Sequence, residues 1–195
     1  MSVPERGAAE AAQRIADALE RVGLPYAIGG ALALAVAGVP RGTIDVDVNV
    51  FATEERLEEV FDALASLGIE IDRPKAVDQT RREGMFVGRW DGMRIDVFLP
   101  SIPFSREAEA TRIRVSDAAG WSGWFLSAEA VAIFKLLFFR GKDVVDLERL
   151  VAVTQDSFDC EYVRRWIVEM MGEDDERVRA WDELVARFGQ PRSAG

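Results

Sequence analysis

Residues 43–50, which read Thr-Ile-Asp-Val-Asp-Val-Asn-Val, restrict the fold more than any other segment of the chain. The alternation of polar and apolar residues predicts a β-strand, in which successive side chains point to opposite faces. Asp45 and Asp47 therefore project from one face, about 6–7 Å apart along the strand. Two carboxylates this close repel each other unless one is protonated or a cation lies between them. A hard divalent cation such as Mg²⁺ is the usual solution, so the strand predicts a metal site.

Two further motifs flank this strand. Gly29 and Gly30 follow a short predicted strand and precede a predicted helix, where glycine permits a tight turn and helical N–H groups can face an anion. Downstream, Asp91-Gly92 separates two apolar runs, residues 85–90 and 93–99, which predicts a tight hairpin. Asp96 lies on the second of these strands and supplies a third strand-borne carboxylate.

Composition excludes several kinds of chemistry. The 195 residues contain no histidine and a single cysteine, Cys160, which excludes His-based catalysis, imidazole or thiolate zinc sites and an internal disulfide framework. The sequence predicts a cytoplasmic protein without a membrane span. A net charge of −10 argues against nucleic-acid binding over the whole surface. Six cations could still form a local basic patch, or be ordinary solvated charges: Arg73, Lys75, Arg81, Arg82, Arg89 and Arg94.

The order of predicted elements indicates an α/β (α+β) core followed by helices. Helices are expected at residues 8–21, 31–37, 53–67, 127–139, 143–153, 161–171 and 175–188, with Thr53 and Ser127 as N-caps. Residues 69–72 are predicted to be a strand and residues 74–84 a loop or an irregular strand. We place a core at residues 1–122 and a C-terminal helical region at 123–195, with one continuous domain as the alternative.

The combination of Gly29-Gly30, Asp45-x-Asp47 and Asp96 resembles the nucleotidyltransferase superfamily related to DNA polymerase beta. Residues 41–47, together with Lys135 and residues 140–147, resemble in particular the AbiEii-type toxin branch and its uncharacterised relatives. This resemblance implies a mixed sheet flanked by helices, with a C-terminal helical part. The chain departs from many active members in having Gly30 where they have serine, and Ala31 adds no hydroxyl, so backbone N–H groups alone would contact the triphosphate.

The resemblance also implies an activity and a set of roles. It implies Mg²⁺-dependent transfer of a nucleoside monophosphate from an NTP to an acceptor hydroxyl on a tRNA end, a protein or a small molecule. Asp45, Asp47 and Asp96 would bind two Mg²⁺ ions, with Asp96 also as general base. The toxin branch further implies an antitoxin as a partner. The nucleotide-binding residues implied are Gly29, Gly30, Arg41, Thr43, Lys135 and Lys142.

Structural alternatives exist for the same residues. Asp45 could pair with Arg41, and Asp47 with Arg94. Lys135 interrupts an almost wholly apolar helix, so its ammonium group either reaches the surface or points into a polar cleft. Asp143 and Asp146 fit helix capping and local ion pairs. A degenerate nucleotidyltransferase fold that binds a nucleotide or a partner without catalysis is the alternative function.

Overall fold

The computed structural model describes residues 7–154 and 157–188. The chain divides into two compact units, one formed by residues 1–32 and 42–126 and the other by residues 33–41 and 127–195. Within the described ranges, no helix has the length and apolar character needed to cross a membrane.

The first unit contains a six-stranded mixed sheet with the order β3-β4-β2-β1-β6-β5. The pairs β2/β4 and β1/β6 are parallel, and the other neighbours are antiparallel. The strands are β1 (Tyr26–Ile28), β2 (Asp45–Val50), β3 (Met85–Trp90), β4 (Met93–Phe98), β5 (Ile113–Ser116) and β6 (Ser122–Phe125). The predicted strand at residues 43–50 is therefore confirmed, with its first residue at Asp45.

Four helices of this unit accompany the sheet: α1 (Ala8–Arg21), α3 (Leu57–Ala65), which follows a 3₁₀ turn at Glu54–Arg56, α4 (Arg73–Glu83) and α5 (Ser105–Ala110). Helix α2 (Gly30–Val36) begins in this unit and ends in the other. Thr53 precedes the 3₁₀ turn without a side-chain cap. The predicted helix at residues 53–67 is thus shorter than expected and starts with a tighter turn.

One face of the sheet is apolar. Val46, Val48 and Val50 are at most 1% exposed, and Ile95 and Val97 lie opposite Val46 and Val48 on β4. Helix α1 packs against β2 and α3. Burial of the valine face fixes the register of β2, because a slip of one residue would bring the carboxylates into the core. The opposite face is thereby left to Asp45 and Asp47.

The predicted hairpin at Asp91-Gly92 is confirmed. Strands β3 and β4 pair from Trp90↔Met93 to Met85↔Phe98. Both turn residues have positive φ, 49° for Asp91 and 82° for Gly92, as a two-residue turn with the twist of the strands requires. The hairpin sets the register that places Asp96 in the sheet.

The predictions for residues 69–84 are wrong. Residues 74–83 lie in α4 rather than in a loop, and residues 69–72 form only a single bridge, between Glu70 and Arg89. Asp72 caps α4 by accepting a hydrogen bond from the Lys75 N–H at 3.2 Å, and Gly84 ends it in the left-handed conformation. Of its residues only Ala76 is buried, so the helix has almost no apolar period to detect.

The second unit is helical. It contains α6 (Ala128–Phe138), α7 (Gly141–Thr154), α8 (Cys160–Met171) and α9 (Glu176–Phe188). Ser127 caps α6 by accepting a hydrogen bond from the Ala130 N–H at 3.1 Å, as predicted. Asp143 does not open α7, which begins at Gly141. The C-terminal helices predicted from sequence are otherwise confirmed within one or two residues.

Candidate active site

Three carboxylates lie on the polar face of the sheet. Strands β2 and β4 are parallel neighbours, with Asp47 directly opposite Asp96 and Asp45 directly opposite Arg94. Paired residues on adjacent strands project from the same face, and their Cα atoms are about 4.8 Å apart. The register thus brings Asp45, Asp47 and Asp96 to one face of one unit.

Thr43 holds the first carboxylate. The Thr43 hydroxyl donates to Asp45 Oδ1 and also lies 3.3 Å from the Asp45 carbonyl oxygen. Both residues are partly exposed. Thr43 therefore orients Asp45 at the start of β2, which is a role in positioning the carboxylate and one that the sequence did not distinguish from contact with phosphate.

Arg94 holds the third carboxylate. Its Nε donates to Asp96 Oδ1 at 2.7 Å, and the Asp96 side chain is 15% exposed whereas that of Arg94 is 48% exposed. The alternative that the sequence left open paired Arg94 with Asp47. The structure pairs Arg94 with Asp96, two residues along the same strand, since alternate residues of β4 share a face.

The glycine turn lies against the second carboxylate. The Gly29 N–H donates to the Asp47 carbonyl oxygen at 2.9 Å, which continues the pairing of β1 with β2. Gly30 has a φ of +54°, and a Cβ atom there would lie far closer to Asp47 Oδ2 than the 3.0 Å that Cβ contacts respect. Glycine is therefore required at position 30 both by the backbone conformation and by the space that the Asp47 carboxylate occupies.

Replacement of Gly30 by alanine is expected to destabilise the protein and displace Asp47. Positive φ costs an alanine about 1–2 kcal/mol, and the clash adds about 1–3 kcal/mol. Gly23→Ala is the matched control, because Gly23 has a φ of +66° and nothing within 4 Å of the added atom. Urea denaturation of both variants measures the difference. Equal losses of stability would show that the Asp47 carboxylate does not need the space at Gly30.

The carboxylates of Asp45, Asp47 and Asp96 suit a hard cation, because carboxylate oxygens are the ligands that Mg²⁺ takes. In residues 7–154 and 157–188, however, no three His, Cys, Asp or Glu side chains are grouped closely enough to hold a metal ion as they stand. Asp45 and Asp96 are instead engaged with Thr43 and Arg94. A divalent cation that used all three carboxylates would have to replace Arg94 as the counter-ion of Asp96.

Sequence reasoning missed two residues of this face. Arg94 was considered only as a surface charge or as a partner of Asp47. Asn49 is the next residue on the face of Asp45 and Asp47, and it is 7% exposed. The period-two alternation in Asp45-Val46-Asp47-Val48-Asn49 was sufficient to find Asn49. A side chain at Gly29 would meet Asn49 Nδ2 at 3.0 Å, so Asn49 also packs at the glycine turn.

The second unit contains a buried ion network. Lys135 Nζ lies 2.6 Å from Asp146 Oδ2 and 3.2 Å from Asp143 Oδ1, with the Lys135 side chain 8% exposed. Arg140 Nε donates to Asp143 Oδ2 at 2.7 Å, and Arg41 Nε lies 3.3 Å from Asp146 Oδ2. The ammonium group of Lys135 thus does not reach the surface, so the surface alternative is wrong, and it points instead into a polar environment formed by two carboxylates. Asp143 and Asp146 do form the expected ion pairs.

The predicted nucleotide contacts of this unit differ in accessibility. Lys142 is exposed in the first turn of α7, and the Arg41 side chain is 30% exposed. Lys135 already has two carboxylate partners. A role in nucleotide binding stays a prediction for all three residues.

The network makes stability depend on pH. Burial alone would raise the pKa of Asp143, but hydrogen bonds from Arg140 and the charge of Lys135 outweigh it and lower that pKa below the ordinary aspartate value. A carboxylate with a lowered folded pKa stabilises the protein fully above its unfolded pKa of about 3.9, and this contribution is lost as the pH falls through the folded pKa. We expect Asp143→Asn to weaken the protein at pH 7 and to flatten the acid limb of the stability curve. Urea denaturation between pH 7 and pH 3 measures both, and parallel curves would contradict the assignment.

No family model matches the chain, and no curated protein matches it. Its fold is similar to that of the antibiotic-resistance factor ANT(2″)-Ia in solution, with a TM-score of 0.50 and 15% identity over 94% of this chain and 95% of that one. The crystal structure of ANT(2″)-Ia in complex with adenylyl-2″-tobramycin gives a TM-score of 0.50 and 14% identity over 92% and 97%. An antigenic nucleotidyltransferase-like protein from Paracoccidioides brasiliensis gives 0.50 and 14% over 91% and 94%. These likenesses confirm the predicted nucleotidyltransferase-type fold, a mixed sheet flanked by helices.

Proposed function

We propose that this protein is a nucleotidyltransferase that moves a nucleoside monophosphate from an NTP to an acceptor hydroxyl, with Mg²⁺ as its metal. The observation that supports this most is the register of β2 and β4, which sets Asp47 opposite Asp96 with Asp45 on the same face. The glycine turn beside the Asp47 carboxylate gives further support, because the backbone conformation at Gly30 and the nearby carboxylate leave room only for glycine. The fold agrees with that of known nucleotidyltransferases.

The roles follow from the chemistry of the side chains. Asp45 and Asp47 would bind Mg²⁺ together with the NTP phosphates, and Thr43 would fix the orientation of Asp45. Asp96 would accept the proton of the acceptor hydroxyl, whose oxygen forms a bond to the α-phosphorus while the bond to the pyrophosphate breaks. Bound Mg²⁺ supplies positive charge that lowers the repulsion between the phosphates and the incoming oxygen.

The triphosphate would be held by groups of two kinds. Gly30 and Ala31 have no hydroxyl, so the N–H groups at the start of α2 are the proposed donors. Gly29, whose N–H already donates to the Asp47 carbonyl oxygen, would allow the phosphates to approach the backbone closely. Lys142, which is exposed, is the main proposed cationic contact, and Arg41, which is 30% exposed and already lies 3.3 Å from Asp146 Oδ2, is proposed beside it. Lys135 is proposed only as a secondary contact, since its charge is already compensated by Asp143 and Asp146.

The acceptor is proposed at the level of its class. ANT(2″)-Ia was solved with adenylyl-2″-tobramycin, which supports a small-molecule acceptor for this chain, with a tRNA end or a protein as the other candidates. The resemblance of residues 41–47 and 140–147 to AbiEii-type toxins supports a toxin role with an antitoxin partner. Growth arrest on expression that disappears in Asp45→Ala would support the toxin role, and an inert wild type would oppose it.

Release of pyrophosphate tests the proposed activity. The full chain is incubated with MgCl₂, with each of the four NTPs in turn, and with aminoglycoside, tRNA or protein acceptors. We expect pyrophosphate release that requires Mg²⁺ and is lost in Asp96→Asn. Asp78→Asn is the matched control, because Asp78 is an exposed aspartate of α4 that lines none of the proposed contacts. Absence of release and of any NTP-dependent thermal shift would contradict the proposal.

One observation favours a second candidate, a binding module without catalysis. The Asp96 carboxylate is engaged by Arg94, and its neighbours do not form a ready metal site among the residues that the structure describes. Such a module would bind Mg²⁺–NTP without turnover, and Asp96→Asn would leave that binding unchanged. Calorimetric titration of both forms with a non-hydrolysable NTP separates this candidate from the enzyme.

A further inference from the structure

A cleft of about 530 Å³ lies beside the carboxylate face, within the same unit. Strand β3, helix α4 and the segment between α3 and α4 form its walls. The residues of the cleft that matter here are Glu70, Asp72, Lys75, Val87, Arg89 and Arg94.

The sheet register connects this cleft to Asp96. Val87 lies directly opposite Asp96 across the β3/β4 pair, and Arg89 lies directly opposite Arg94. All four residues therefore project from the face that carries Asp45 and Asp47. Arg94 belongs to both places, since it lines the cleft and its Nε donates to Asp96 Oδ1 at 2.7 Å.

The cleft concentrates positive charge on an acidic chain. Of the six cations that the sequence suggested as a basic patch, Arg73 is paired with Glu58 and Asp62, Arg81 with Glu54 and Arg82 with Glu83. Lys75 and Arg89 are exposed, and neither makes an ion pair with any residue in the described part of the chain. The sixth cation, Arg94, lines the cleft and is paired with Asp96, so three cations line the cleft and two of them are without an ion pair among the described residues.

Two carboxylates also line the cleft, and they reduce its positive charge without cancelling it. Asp72 already accepts the Lys75 N–H as the cap of α4, and Glu70 is exposed. Lys75, Arg89 and Arg94 outnumber these two carboxylates along the cleft, in a chain whose acidic residues outnumber its basic ones by 34 to 24, although Arg94 is itself paired with Asp96. A guanidinium pair with an ammonium group beside it suits a phosphate, which arginine binds through paired hydrogen bonds.

We infer that this cleft binds a phosphate group of the acceptor, so that the acceptor presents its hydroxyl to Asp96. The inference rests on the proposed function. Arg89 lies one strand away from Asp96 and about 7 Å further along, from two steps of strand rise. That span matches the separation of a phosphate and a distant hydroxyl on one phosphorylated sugar. An acceptor of this kind is anionic, in contrast to a polycationic aminoglycoside.

Arg94 links the binding of a cation at Asp96 to the binding of the acceptor phosphate in the cleft. Without a bound cation at Asp96, Arg94 pairs with this carboxylate. A divalent cation on Asp96 would replace that pairing and release the guanidinium toward the cleft, where it joins Arg89. The acceptor phosphate therefore binds more tightly when the metal and the nucleotide are already present.

Calorimetric titration with three probes tests the inference on the full chain: inorganic phosphate, ribose 5-phosphate and a 5′-phosphorylated RNA trinucleotide. Each is titrated with and without Mg²⁺ and a saturating non-hydrolysable NTP, and ribose serves as the phosphate-free control. We expect ribose 5-phosphate to bind, ribose not to bind, and the Lys75→Ala/Arg89→Ala double variant to bind at least about tenfold more weakly. Arg82→Ala, an exposed cation of α4 outside the cleft, should bind as the wild type does.

The outcomes separate the possible sources of the phosphate and the two proposals. Binding of ribose 5-phosphate would indicate a small-molecule acceptor, whereas binding of the trinucleotide alone would indicate an RNA acceptor. Either result supports a phosphate site in the cleft. If the wild type binds Mg²⁺–NTP but none of the phosphate probes, or if the double variant binds them unchanged, the inference is wrong and the proposed function stands. If phosphate binds and Mg²⁺–NTP does not, the cleft stands and the proposed function fails.

Discussion

Replacement of Asp47 by asparagine is expected to lower kcat/KM for nucleotidyl transfer by about 10³-fold, as the loss of a major electrostatic group in an active site does. Asp47 lies between the glycine turn and Asp96, so it adjoins both the proposed phosphate-binding turn and the proposed general base. Asparagine keeps the shape of the side chain but removes its charge. The folded structure should therefore survive while the affinity for Mg²⁺–NTP falls.

Single-turnover kinetics with labelled NTP measure this effect, and thermal unfolding in the absence of metal checks the fold. Asp78→Asn provides the same chemical change on the surface of α4 and should retain full activity. An Asp47→Asn variant with activity within a few-fold of the wild type would show that Asp47 has no part in the transfer.

Replacement of Lys135 by methionine is expected to cost about 3–5 kcal/mol of unfolding free energy, the usual effect of removing one partner from a buried ion pair. The methionine keeps most of the apolar stem but leaves Asp143 and Asp146, which are 0% and 3% exposed, without the ammonium group between them. The loss should shrink as the pH falls through the lowered folded pKa of Asp143, because this carboxyl then becomes neutral and no longer needs the ammonium group.

Urea denaturation at pH 7 and at pH 3 measures both effects. Arg149→Met is the matched control, because Arg149 is an exposed cation of α7 and its loss should cost less than about 0.5 kcal/mol. A loss below about 1 kcal/mol for Lys135→Met at pH 7 would mean that the network contributes little to stability.

The carboxylate face was predictable because its signals are local. The alternation in residues 45–49 assigns a face to each side chain of β2, and the Asp91-Gly92 turn fixes the phase of β4. Helix α4 escaped detection for the opposite reason. Its caps, Asp72 and Gly84, were present in the sequence, but the exposed residues between them show no apolar period.

The partners of the charged residues depended on tertiary structure. The lysine in α6 could not be assigned from its own helix, because its carboxylates lie 8 and 11 residues away on α7. Arg94 differs, because its partner Asp96 lies two residues away on the same face of β4, which the local alternation already indicates. The basic patch was a list of six residues in sequence, and only folding showed which of them have carboxylate partners and which line the cleft.

The proposed activity requires that Asp45, Asp47 and Asp96 together bind divalent cations with the nucleotide. Electron paramagnetic resonance of Mn²⁺, titrated into the protein with a non-hydrolysable NTP, measures this binding, because it counts bound ions without requiring turnover. We expect two bound Mn²⁺ ions in the wild type, and none above the level of free NTP in the Asp45→Asn/Asp47→Asn/Asp96→Asn variant. Equal Mn²⁺ binding by the two proteins, with the variant folded, would contradict it.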